Sequence, residues 1–225
     1  MLNSEQTNLP ANIISIEKGK ELIIQDIIDS GYALPDRMVL REHPYMKDIE
    51  WGPVLFVENI GDTNTFRDKY YYVYYGKMPD GAVVANQALN AERGEFSFGG
   101  LIEHNETNKV YILSPEEAKH YAIKALGVKE ELTVRATFYF DWDSMNYDPT
   151  FCWKYEIKAK NNKSIKTDKG EFKALYIDPY IRGSSPEARP DNGVNRFSGS
   201  RIYALVDKKV KSPRDSEKTF VGIEK

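Results

Sequence analysis

Ser15-Ile16-Glu17-Lys18-Gly19-Lys20 and Ser114-Pro115-Glu116-Glu117-Ala118-Lys119 stand at a constant offset of 99 residues (114 − 15). Each opens an amphipathic helix. In the later stretch Ser114 caps, Pro115 suits the first helical position and Glu117 completes a capping box. Tyr121, Ala122, Ala125 and Leu126 form its packing face, and Gly127 ends it. In the earlier stretch Ser15 caps, and Ile16, Leu22, Ile23, Ile24, Ile27 and Ile28 make a wide apolar stripe that Gly31 stops. Strand-like segments follow both helices. The duplication therefore predicts an α+β chain of two tandem modules, each a helix packed on its own antiparallel sheet.

Working outward, Met38-Val39-Leu40 and Val54-Leu55-Phe56-Val57 are short β-rich runs, and Tyr70 to Tyr75 is a long aromatic strand. Alternation sends Tyr71, Val73 and Tyr75 to one face and Tyr70, Tyr72 and Tyr74 to the other. One face packs on the isoleucine-rich helix; the other is covered by the second module or open to a partner. Pro79-Asp80-Gly81 turns the chain, and residues 82–90 pair back. After the second helix, Leu132 to Asp141 has period-2 character. Phe151 to Lys160 sets Cys152, Lys154, Glu156 and Lys158 against Phe151, Trp153, Tyr155 and Ile157. Phe172 to Asp178 returns as a third strand, and Ile202 to Asp207 reads as a last one. The expected organisation is a flexible leader at 1–12, a degenerate first module at 13–100 and a second module at 101–183. Residues 184–225 make a loop, the final strand and a charged tail.

Across 225 residues, 41% of them hydrophobic, both charge signs are interspersed and the net charge is −3. There is no basic footprint for nucleic acid, and no run approaches the ~20 apolar residues of a membrane span. No signal peptide is visible at the polar start, so a cytoplasmic protein and a secreted or lipid-anchored one whose signal precedes Met1 both fit. The lone Cys152 forms no internal disulfide; between Phe151 and Trp153 it reads as a buried thiol.

Ile112 to Lys119 with Ala122 and Ala125-Leu126-Gly127-Val128 resembles the helix opening of a PepSY domain. Trp153-Lys154-Tyr155-Glu156-Ile157-Lys158 is similar to that family's central strand. Ala174 to Gly183 resembles its closing hairpin, with Asp178 at the acidic position, and Asn90 stands at the corresponding place in the first copy. The resemblance implies a PepSY/cystatin-like fold and an extracytoplasmic, cell-envelope location in bacteria. It also implies a protein-binding role, with a peptidase or an envelope component as partner.

The chemistry-bearing residues point away from catalysis. Asp141, Asp143 and Asp148, with Asn146, form the densest acidic cluster, but the glycine and terminal glutamate of a calcium loop are missing and a solvated hairpin tip accounts for them. His43, His104 and His120 have no zinc-ligand spacing, and no nucleophile elbow is present. No catalytic, cofactor or metal residue is assigned. Arg182, Arg189 and Arg196, beside Tyr180, punctuate a loop rich in glycine, serine and proline; they suit recognition of an acidic peptide, glycan or phosphate, or else simply solvate the loop. The expected function is a non-catalytic envelope or secreted binding protein that regulates or inhibits a peptidase. The alternatives are a hydrolytic enzyme using the carboxylates near 141–148 and a structural surface lipoprotein.

Overall fold

The computed structural model describes residues 10–29, 49–61, 68–102, 109–138, 153–161, 163–183, 201–207 and 218–224. Helix α1 spans Ile16–Asp29, with the Ser15 hydroxyl accepting from the Lys18 amide at 3.1 Å. Helix α2 spans Pro115–Leu126. Ser114 and Glu117 form the expected capping box, and Gly127 closes the helix in the left-handed region at φ 66°. The Met38–Leu40 run and Gly31 lie outside the described residues.

The strands are β1 (Glu50–Asn59), β2 (Tyr70–Lys77), β3 (Val83–Asn90), β4 (Phe96–Leu101), β5 (Lys109–Ile112), β6 (Leu132–Phe138) and β7 (Trp153–Ala159). They continue as β8 (Ile165–Thr167), β9 (Gly170–Phe172), β10 (Leu175–Ile177), β11 (Tyr180–Gly183), β12 (Ile202–Asp207) and β13 (Lys218–Gly222). Nine of them make one sheet in the order β13-β12-β10-β7-β6-β1-β2-β3-β4. Strands β5 and β11 pair separately, and β8 and β9 form a small hairpin.

This corrects the expected fold class. The described residues build a mostly β structure on one large mixed sheet with two helices, in place of two separate helix-on-sheet modules. The fusion occurs where β1 pairs with β6 in parallel, Val57 beside Ala136 and Glu58 beside Thr137. Left unpaired, each would expose a row of amides and carbonyls as an open edge, and pairing them removes both edges at once. The segment read as a charged tail also contributes a strand, β13, antiparallel to β12.

The two helices pack on opposite faces. Under α1, Ile23 meets Tyr72, Tyr74 and Leu89. Under α2, Ala118, Ala122 and Leu126 meet the larger core built from Tyr71, Val73, Tyr75, Trp153, Tyr155 and Ile157. The second face of the tyrosine strand is thus covered: Tyr75 packs 6.0 Å from Trp153 and 6.4 Å from Tyr180, ring centre to ring centre. Ile23 and Leu126 are buried as the helical spacing predicts, and Tyr121 is half-buried. The Ile27 side chain lies outside the described residues.

The same device seats both helices. Tyr72 donates to the Ile14 carbonyl at 2.8 Å, and Tyr155 donates to the Leu113 carbonyl at 2.8 Å. Ile14 and Leu113 each precede a capping serine and stand 99 residues apart (113 − 14). Their amides are matched as well: Ile14 donates to Ala91 and Leu113 to Pro179. Tyr74 adds a bond to the Ile16 carbonyl at 2.9 Å, made possible by Gly19, where a Cβ would meet the Tyr74 hydroxyl at 2.2 Å. In the α2 seat the position 99 residues beyond Gly19 is Ala118, and Ile157 follows Tyr155 along β7 as Tyr74 follows Tyr72 along β2. With no hydroxyl to admit, an alanine fits.

Candidate recognition face

Register determines which side chains share a face. Arg135 on β6 opposes Glu156 on β7, Glu156 opposes Tyr176 on β10, and Tyr176 opposes Tyr203 on β12. Phe56 and Arg135 stand one step before the paired Val57 and Ala136, and Phe56 opposes Tyr72. One rung thus crosses the sheet on the α1 side, aromatic on β2 and β1, charged on β6 and β7, aromatic again on β10 and β12. Among the described elements, α1 sits on β2 and β3, and α2 sits on the opposite side of β6, β7 and β10.

The charged part is a ladder of committed partners. The Arg135 guanidinium donates through Nε to Glu156 and through Nη1 to Glu58. Lys158 Nζ reaches the other Glu156 oxygen at 3.1 Å, and the Tyr176 hydroxyl donates to it at 3.0 Å. Burial pushes the Glu156 carboxyl up, but the hydrogen bond and charge of Arg135, then those of Lys158, outweigh it and hold the carboxyl below its ordinary range. Glu156 is 3% exposed, whereas the side chains of Arg135 and Lys158 are 47% and 41% exposed. Glu156 is sunk and the two cations beside it are presented.

One rung along, Lys154 Nζ donates to Asp178 at 2.6 Å and lies 4.4 Å from the Tyr203 ring centre and 5.3 Å from that of Phe220. The Tyr203 hydroxyl donates to the second Asp178 oxygen at 2.9 Å. Asn90, at the matching place before Ala91, instead accepts from the Glu92 and Arg93 amides, both at 2.8 Å. The acid serves a cation and the amide serves a turn, which is a physical reason for the two residue types.

Of the residues singled out in the sequence, Tyr180 holds a core position: its hydroxyl accepts from Trp153 Nε1 at 2.9 Å and meets the Tyr75 hydroxyl at 3.2 Å. Burial raises Tyr75 well above the ordinary tyrosine range, so its hydroxyl stays neutral. The Arg182 backbone opposes Val110 on β5. Arg189, Arg196, Cys152, His43, His104 and the cluster Asp141, Asp143 and Asp148 lie outside the described residues. His120 is exposed on α2. Among the described residues no three His, Cys, Asp or Glu side chains converge for a metal ion, and no described helix is long and apolar enough to cross a membrane.

Sequence reasoning missed Arg135, Glu156, Lys158, Lys154 and Glu58 as a set. The signal was the lysine–glutamate–lysine alternation of β7 beside Thr133-Val134-Arg135-Ala136-Thr137, which becomes a ladder once the two strands are known to be neighbours. No family model, curated protein or solved structure matches the chain.

Proposed function

We propose that the chain is a non-catalytic protein-binding module and that the charged ladder on β6 and β7 is its recognition face. The observation that carries this reading is the pairing of Glu156 and Asp178. Each buried acid is held by a cation and a tyrosine hydroxyl, so the carboxylate oxygens are already committed to partners within the fold. Arg135 and Lys158 present their charges outward from that fixed base, which suits an acidic partner surface. The PepSY resemblance supports the further reading that the partner is a peptidase and that the protein works in the cell envelope or outside the cell.

Selection from a displayed random-peptide library tests the binding reading. Acidic peptides should emerge, and the double variant Arg135→Ala/Lys158→Ala should lose them by about tenfold or more. Peptides without acidic bias that bind the double variant as well as the parent would overturn it, as would sustained turnover of peptide, ester or glycoside substrates that survives further purification.

A further inference from the structure

The outer strand β13 is seated as a bound peptide would be. Its strand partner is β12, joined antiparallel from Tyr203–Gly222 to Asp207–Lys218. Beyond this backbone ladder, three side chains anchor the segment at distinct places. Phe220 packs edge-on against Tyr176 at 5.0 Å and Tyr203 at 6.3 Å, with Lys154 over its ring. Ile223 packs against the main core, and its amide donates to the Ile202 carbonyl at 2.8 Å. Glu224 accepts from the Tyr121 hydroxyl of α2 at 2.7 Å and lies in the field of the buried Arg201 guanidinium. Between the anchors, Val221 is 43% exposed.

Main-chain pairing for affinity and alternate side-chain anchors for specificity define recognition by strand addition. The geometry points to the β12 edge as a peptide-accepting groove for an extended segment of a partner protein. That segment carries an aromatic residue, an aliphatic residue three positions on and an acid immediately after it. Residues 218–224 are its built-in occupant. The aromatic wall of Tyr176 and Tyr203 selects the first residue, the core opening beside Ile202 the second, and Tyr121 with Arg201 the acid. A tethered occupant competes at an effective concentration on the order of millimolar, so a partner segment enters by displacing it. This deepens the binding reading but rests on β13 alone, and the charged ladder can fail as a recognition face without affecting it.

Fluorescence anisotropy on the full chain tests the groove, with a labelled peptide copying residues 217–225 as probe. The Phe220→Ala chain, its own strand loosened, should bind the probe about tenfold more tightly than the parent. A probe whose phenylalanine is replaced by alanine should not bind. Equal affinity of the two chains, or a probe indifferent to that replacement, overturns the proposal. If Phe220→Ala does not fold by circular dichroism, Glu224→Gln serves in its place. It should raise probe affinity about threefold, and unchanged affinity is the contrary result. A saturating acidic peptide selected on the ladder should leave probe binding to the parent chain unchanged, which separates this site from the ladder. Light scattering should show a monomer; a dimer that the probe dissociates would make a second copy the occupant and overturn the assignment to a partner protein.

Discussion

The rung that crosses the sheet on the α1 side changes character between β1 and β6. Under the helix it reads Leu89, Tyr72 and Phe56; outside the helix seat it reads Arg135, Glu156, Tyr176 and Tyr203. Register shifts occur in β1–β2, β2–β3 and β3–β4 and not in β6–β7, β7–β10 or β10–β12. Yet at this rung both halves are continuous strands of one sheet, so backbone pairing does not make the difference. Cover does. Where a helix lies over the sheet, tyrosines bury their rings and pass their hydroxyls to the carbonyls at the helix start. Where α1 ends its reach, carboxylates are sunk beneath arginine and lysine. The covered half is organised to hold a helix, and the other half ties charged side chains to one another where α1 does not reach.

The strongest way to break this comparison is to empty the covered half. Tyr72→Ala should cost about 3–5 kcal/mol, because a fully buried ring and its helix-seating bond are both lost. Denaturant unfolding reads this directly, and a loss under about 1 kcal/mol would mean that α1 is not held by the sheet. Gly19→Ala should come next. Alanine normally favours a helix interior, but here its methyl meets the Tyr74 hydroxyl, so a net loss of about 1–3 kcal/mol is expected. Pairing it with Tyr74→Ile recreates the Ala118–Ile157 arrangement of the α2 seat, and the double variant should be no less stable than Tyr74→Ile alone.

In the charged half, Glu156→Gln should cost about 1–2 kcal/mol near neutral pH by weakening charge-assisted bonds to Arg135 and Lys158. The sign with pH follows from the carboxyl being held below its ordinary value of 4.5. The ladder's contribution is complete above that value and is lost as pH falls through the lower folded value. The parent's advantage over Glu156→Gln should therefore shrink as pH drops below about 4.5, as read by urea melts across pH. The smallest effects sharpen the match between the two helix seats. Tyr72→Phe and Tyr155→Phe each remove one bond to the carbonyl before a capping serine, and each should cost about 0.5–1.5 kcal/mol. A large disparity would show that the two bonds only look alike.

The local parts of this fold were legible because their causes are local. Ser114, Pro115 and Glu117 specify a helix start whatever surrounds them, and the alternation of Tyr70 to Tyr75 divides its side chains between two faces in any sheet. Strand partners are different. Nothing in Val54–Val57 or Val134–Ala136 states that β1 and β6 run side by side, because parallel pairing is set by what the rest of the chain leaves unpaired. That one pairing turned two expected sheets into one and brought Glu58 to Arg135. The tail misled for the same reason: Phe220-Val221-Gly222-Ile223 is a short apolar run at the end of a charged stretch, and its role shows only when Tyr176, Tyr203 and Ile202 stand beside it. The arginine loop around Arg189 and Arg196 drew attention through composition, while the face that register assembles was spread over separate strands.

The central claim is that the charged half of the rung meets a partner. Amide chemical-shift mapping of the full chain with the tightest acidic peptide from library selection tests it most directly. The account predicts that the largest shifts cluster on Glu58, Arg135, Glu156, Lys158 and their immediate strand neighbours, with α1 and the β3–β4 edge unmoved. Shifts concentrated on α1 or on β4, with β6 and β7 silent, would contradict it.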